Sequence, residues 1–113
     1  MTFEAFDVVR VPFPFTDRET SKRRPALVLS CGQSFNAPIG HAVMAMITSS
    51  REQNWPLDHD ILDLQAAGLP VASRIRFKLF TLDLRLVLGK LGQLSSHDAA
   101  VVSHHLQQLL PLR

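Results

Sequence analysis

Residues 21–31 read S-K-R-R-P-A-L-V-L-S-C, three consecutive cations set directly against an apolar run. Pro25 fixes its own φ and biases Arg24 toward extended backbone, which holds that arginine at a strand entrance instead of on a helix. Ala26, Leu27, Val28 and Leu29 have the length of a strand and leave no room for a helix. They read as a central strand buried on both faces. Residue type alone leaves Lys22, Arg23 and Arg24 open: a solvated loop charge run and a positioned cation suit them equally.

Upstream, residues 7–15 alternate with Val9, Val11, Phe13 and Phe15 on one side, while Arg10, Pro12 and Pro14 interrupt the other. This predicts a first strand ended by prolines, followed by a polar loop from Thr16 to Arg24 long enough to move. Downstream, Gly32 to Gly40 is a connector. His41 to Thr48 is a third strand, with Ala42, Met44, Met46 and Thr48 on one face and Val43, Ala45 and Ile47 on the other. Between Trp55 and Pro70 the pattern is open, since Ile61, Leu62 and Leu64 suit a short strand or a helical turn. Ser73 to Phe80 predicts a fourth strand in which Ile75 and Phe77 point one way and Arg74, Arg76 and Lys78 the other, a basic stripe on an open sheet face. Val87 to Leu94 supplies a fifth, with Gly89 and Gly92 spaced for a bend or bulge. Ser95 and Asp98 form an S-x-x-D cap before a helix whose Ala99, Val102, Leu106 and Leu109 share one stripe. The sum is a mainly β chain, a small and strongly bent antiparallel sheet or barrel closed by a C-terminal helix, in one domain over residues 1–113.

Composition narrows the class. With 46% hydrophobic and 19% charged residues the chain is globular and not disordered. The net charge of +2 is mild, but the charges are segregated. Residues 52–63 hold four acids and no Lys or Arg, and residues 74–78 hold three cations and no acid. That predicts a basic face suited to a polyanion and a separate acidic one. The single Cys31 excludes an internal disulfide and a multi-cysteine zinc site, fits a reducing, cytoplasmic compartment, and reads as a small buried residue at a strand end. No apolar run has membrane-span length, and the first residues lack a signal-peptide pattern. Asp58, His59, Asp60 and Asp63 read as a solvated acidic face in preference to metal ligands, so no metal and no cofactor is expected. His41 and His59 titrate near neutrality and are candidate acids or bases, though spacing does not bring them to Arg24. His104 and His105 diverge on the terminal helix.

Several stretches, in order, carry a resemblance: D-V-V-R-V-P-F-P-F, R-R-P-A-L-V-L-S, M-I-T-S, A-G-L-P, R-I-R-F-K-L-F-T-L-D and L-G-K-L-G-Q-L-S before the last helix. Together the chain resembles the MazF/PemK (Kid) family of toxin–antitoxin toxins, with R-P-A-L-V-L-S and I-T-S the most specific elements. The resemblance implies an SH3-like barrel of about five to seven bent strands. It also implies a homodimer, and a metal-independent endoribonuclease that cuts single-stranded mRNA at short sequences and is neutralised by a cognate, MazE-like antitoxin. Arg24 matches the family's catalytic arginine, and Thr48, with Ser49 beside it, matches the threonine at the I-T-S strand end. Two positions depart from the pattern. The aspartate that some members place two residues after the strand-4 arginine is Lys78 here, and the arginine before T-[IL]-D is Phe80. No carboxylate base is therefore assigned, and Lys22, Arg23, Ser49, Arg76 and Lys78 are expected to contact RNA.

The residue chemistry fits that expectation. Metal-free RNA cleavage uses the 2′-hydroxyl against the adjacent phosphate, so the protein must neutralise a phosphorane and move two protons. The planar fork of Arg24 suits the first task, and a Thr48 hydroxyl can steady the phosphate although it is too weak a base to act alone. Two alternatives share the fold: a toxin that poisons DNA gyrase without cutting anything, and an RNA-binding module that has lost activity.

Overall fold

The apolar run after Pro25 lies in the middle of a sheet. The computed structural model describes residues 2–13 and 22–111. Among the described residues six strands, β1 (Asp7–Phe13), β2 (Lys22–Val28), β3 (His41–Ser49), β4 (His59–Asp60), β5 (Ser73–Asp83) and β6 (Gly89–Gln93), form one sheet in the order β4-β5-β3-β2-β1-β6. Every neighbouring pair is antiparallel. Three α-helices, α1 (Ala37–Ile39), α2 (Leu64–Ala67) and α3 (Ser96–Leu109), and two single helical turns, Gly32–Asn36 and Leu84–Leu86, complete the elements among the described residues. The result is a curled half-barrel with a C-terminal helix, the mainly β architecture expected. No helix among the described residues is long and apolar enough to cross a membrane. Pro14, Phe15 and the expected loop from Thr16 onward lie outside the described residues as far as Ser21.

The sheet is buried on both sides, because its central strands alternate between two apolar clusters. Val8, Leu27, Ala45, Ile47 and Ile75 pack with Val102 of α3 on one side. Val9, Val11, Ala26, Val28, Ala42, Met44 and Leu82 pack with Phe3 on the other. The reading of Ala26 to Leu29 as a doubly buried strand is met as far as Val28, where β2 ends; Leu29 is half-buried beyond it.

Four elements differ from expectation or resolve it. β2 begins at Lys22, not at Pro25, with Lys22 opposite Phe13, Arg23 opposite Pro12 and Arg24 opposite Val11. The β1 backbone stays extended that far, and ladder hydrogen bonds need no apolar side chains, so the cations are strand residues. The open segment 55–70 contains both alternatives: β4 pairs with β5, and α2 follows, ended by Gly68 at φ 72°. Cys31 is exposed, not buried. The strand has ended before it, and its Sγ accepts the Ser34 N–H at 3.4 Å, capping the turn that starts at Gly32; the side-chain bond with Ser34 leads the effects that lower its thiol pKa. The fifth strand shortens to Gly89–Gln93, and its register with β1 shifts where Gly92 and Lys90 face Val8 and Val9, between the two glycines that suggested a bulge.

The expected cap of the last helix is present. Ser95 Oγ accepts the Asp98 N–H at 3.1 Å. Asp98 itself is fully buried, and it accepts from the N–H groups of Leu62 and Asp63 at 3.0 Å each and from Ser95 Oγ at 3.1 Å, with His59 Nε2 at 2.7 Å. One carboxylate thereby ties α3 to the segment between β4 and α2. Burial pushes that carboxyl up, but its four hydrogen-bond partners outweigh burial and hold it below the ordinary range.

Candidate active site

Period-2 alternation carries one sheet face from core to site. Along β2 the side chains on that face run Val28, Ala26, Arg24; along β3 they run Ala42, Met44, Met46, Thr48. The ladder pairs Ala26 with Met46 and Val11 with Arg24, which sets Phe13, Arg24 and Thr48 at the same end of the face. On β5 the same face runs Leu82, Phe80, then Lys78, Arg76 and Arg74. Two extra residues, Phe77 and Lys78, enter β5 where Ala45 pairs with Leu79 and Met46 with Arg76. Because two are added and not one, the alternation of the strand is preserved while its course is disturbed.

A cavity of about 330 Å³ opens at this end of the face. Phe13, Arg24, Met46, Ile47 and Thr48 line it from β1, β2 and β3, and Arg76, Lys78, Leu79 and Phe80 line it from β5. Four of the site residues read from the sequence, Arg24, Thr48, Arg76 and Lys78, are therefore brought together. Three are not. Lys22 shares the face but does not line the cavity, Arg23 alternates to the opposite face, and Ser49 lines a separate hollow with Ser50, Arg51, Val71 and Ala72.

The arginines in this region have opposite surroundings. Arg24 is exposed, lies over the Phe13 ring with Cζ 5.4 Å from the centroid, and has no carboxylate partner among the described residues. Arg76 is 9% exposed and grips Asp58 with a two-pronged fork, Nε to Oδ1 at 3.3 Å and Nη2 to Oδ2 at 2.9 Å, while Nη2 also donates to the Gln53 carbonyl. Arg74 is 7% exposed and donates to Asp60 Oδ1 at 2.8 Å, to the Glu52 carbonyl at 3.0 Å and to Asn54 Oδ1. Burial raises the Asp58 carboxyl pKa, but the Arg76 hydrogen bond, the Trp55 N–H and the two guanidinium charges more than reverse this and leave it lowered.

Those pairings correct two expectations. The basic stripe of β5 is not an open face, because residues 52–60 cover Arg74 and Arg76. The acidic and basic segments are likewise not separate faces: Asp58 and Asp60 sit on the cations from which the sequence separates them. Burying guanidinium groups without partners is too costly, so the acids of one loop fold over the arginines of the adjacent strand. Two other members of these groups also have structural partners. Asp63 caps α2 by accepting the Ala66 N–H at 3.0 Å, and His105 Nδ1 lies 2.9 Å from the Leu57 carbonyl. His41 lines another hollow with Asp83 and Arg85, and neither it nor His59 reaches the Arg24 cavity.

Two aromatic residues at the site escaped the sequence reading. Phe13 counted only as an alternating strand residue, although its place two positions beyond Val11 on a prolonged ladder puts it beneath Arg24. Trp55 sits in a segment without periodicity, yet Arg76 Cζ and Lys78 Nζ lie 4.8 and 5.6 Å from its ring centroid.

Residues 4–110 match the family described as PemK-like, MazF-like toxin of type II toxin-antitoxin system. Among solved structures, MazF (Form-I) from Deinococcus radiodurans is 27% identical over 99% of both chains, with a TM-score of 0.75. The MazE-MazF complex (Form-III) from the same organism superposes with a TM-score of 0.79 over 100% of both chains at 24% identity. An endoribonuclease in complex with its cognate antitoxin from Mycobacterial species gives 0.73 at 15% identity, over 99% of this chain and 96% of that one. The last two likenesses speak to the fold alone. No curated protein matches the chain. The family match covers nearly the whole length and agrees with the observed half-barrel: the chain belongs to the PemK-like, MazF-like toxins of type II toxin–antitoxin systems.

Proposed function

We propose that the protein is a metal-independent endoribonuclease toxin that cuts single-stranded RNA by attack of the 2′-hydroxyl on the neighbouring phosphate. The observation that carries this reading is the shared cavity of Arg24 and Thr48, in which Arg24 is exposed and has no carboxylate partner among the described residues. A guanidinium in that condition can meet two non-bridging phosphate oxygens with its fork and neutralise the charge that grows on the phosphorane. The Thr48 hydroxyl donates a third hydrogen bond and helps hold the phosphate in line. The 2′-oxygen passes its proton to solvent as it bonds to phosphorus, and the P–O5′ bond breaks as the departing 5′-oxygen gains one. Lys78, an ammonium lining the same cavity, is suited to the second transfer. The products are a 2′,3′-cyclic phosphate and a free 5′-hydroxyl.

Family membership supports the rest of the reading. The protein acts as a homodimer in the cytoplasm, where mRNA is available, and is held inactive by a cognate, MazE-like antitoxin. An acidic, partly disordered antitoxin segment laid over Arg24 would block the phosphate path and order itself in doing so.

The test is incubation of the purified protein with long single-stranded RNA in excess EDTA, followed by mapping of the cuts and of the 3′-end chemistry. Cleavage at one short sequence leaving cyclic phosphate is the expected result. Folded protein that binds RNA but leaves it intact would overturn the enzyme reading and favour a non-catalytic toxin, such as one directed at DNA gyrase.

A further inference from the structure

Trp55 stands beside the proposed site without lining its cavity. It is 43% exposed. Arg76 and Lys78, both on the cavity wall, connect the two, because each also places its cation within 5.6 Å of the indole centroid. The backbone around the ring is fastened on both sides. Arg74 holds the Glu52 carbonyl and the Asn54 side chain, and Arg76 holds the Gln53 carbonyl. The Trp55 N–H donates to Asp58 Oδ2 at 2.9 Å, and the Asp58 N–H returns to the Trp55 carbonyl at 3.2 Å. An exposed ring on so constrained a backbone loses little conformational freedom when a ligand stacks on it.

A π-face, the adjacent Lys78 ammonium and a neighbouring cavity in which Arg24 has no carboxylate partner among the described residues complement an alternation of bases and phosphates. Stacking accepts any base, and Lys78 and Arg24 accept the phosphates between them. A duplex hides its base faces inside the helix, so the complement is single-stranded. We infer that Trp55 is the stacking platform for a base flanking the phosphate held by Arg24, setting affinity for single-stranded RNA and leaving the bond-breaking step to the cavity. The identity of that phosphate as the scissile one rests on the nuclease reading above.

Trp55 is the single tryptophan of the chain, so its fluorescence reports on this position alone. The wild-type protein is titrated with a 2′-O-methylated single-stranded oligoribonucleotide, which lacks the nucleophile, and with an abasic oligonucleotide of the same length and phosphate count. Quenching by the first, weakening with salt, and little response to the second are expected. In cleavage assays Trp55→Ala should raise KM by about 10- to 100-fold with kcat changed less than about two-fold, and Trp55→Phe should recover most of the loss. Equal quenching by the abasic strand, or an unchanged KM for a Trp55→Ala variant shown folded by circular dichroism, overturns the platform and leaves the nuclease reading standing. Base-dependent quenching in a protein that cuts no RNA upholds the platform as a single-strand site and removes the nuclease.

Discussion

Two places on one sheet face carry arginine, and they differ in everything but the residue. At the start of β2, Arg24 projects into solvent over the ring of Phe13. At the start of β5, Arg74 and Arg76 are almost fully buried and their hydrogen-bonding edges are taken by Asp58, Asp60 and three residues of the covering loop. A phosphate approaching Arg24 gains a charge-assisted pair outright. One approaching Arg76 must first displace a carboxylate, and the exchange returns little. The partner set, more than the side chain, decides which cation serves a ligand and which serves the fold.

This division can be tested from either end. Arg24→Ala should reduce RNA cleavage by on the order of 10²–10³, the usual loss for one oxyanion stabiliser, while the melting temperature stays at the wild-type value. A variant that cuts at the wild-type rate would place the catalytic cation elsewhere. Asp58→Asn should lower the free energy of unfolding by about 1–3 kcal/mol in denaturant titration, because a buried guanidinium keeps its place without its counter-charge. Unchanged stability would mean that the clamp is idle and Arg76 is available to RNA after all. The same residue contributes a pH dependence. Its folded carboxyl lies below the ordinary value of 3.8, so its stabilising effect is complete above that pH and is lost as the pH falls through the lower folded value. Acid unfolding followed by circular dichroism should therefore be shallower in Asp58→Asn than in the wild type. Thr48→Val, which keeps the shape and removes the hydroxyl, should slow single-turnover cleavage by about tenfold, the scale of one hydrogen bond. The smallest effect belongs to Lys22, on the right face but outside the cavity: Lys22→Ala should reduce the slope of log affinity against log salt by about 1 and leave the cleavage sites unchanged.

Local pattern was enough for what local forces decide. The doubly buried run at Ala26–Val28, the Ser95–Asp98 cap and the alternation of Ile75 against Arg74 and Arg76 were all readable from spacing. What spacing missed are contacts between residues far apart in sequence. Asp58 and Arg76 are 18 residues apart, and Asp98 and Leu62 are 36 apart, so neither pair leaves a periodic trace. Arg76 consequently looked solvated, and the acidic loop looked like a separate surface. Cys31 was misplaced by a different route: its apolar neighbours suggested burial, but the strand had already ended and its sulfur was needed at the next turn. Of the cavity residues, Arg24 and Thr48 were marked by their places at strand ends, whereas Phe13 became visible only when the ladder proved longer than the apolar run.

The two additional residues in β5 also govern which changes of length the chain can accept. Removing Phe77 and Lys78 together would close the ladder against β3 and leave every other side chain of the strand on its present face, at the expense of one cavity residue. Removing either one alone would turn half the strand over, directing Leu82 to water or Arg76 into the α3 side of the core. Soluble yields of the paired and single deletions should diverge accordingly, with the shorter variant the better folded. In a strand of this kind, insertions and deletions are tolerated by parity before they are tolerated by size.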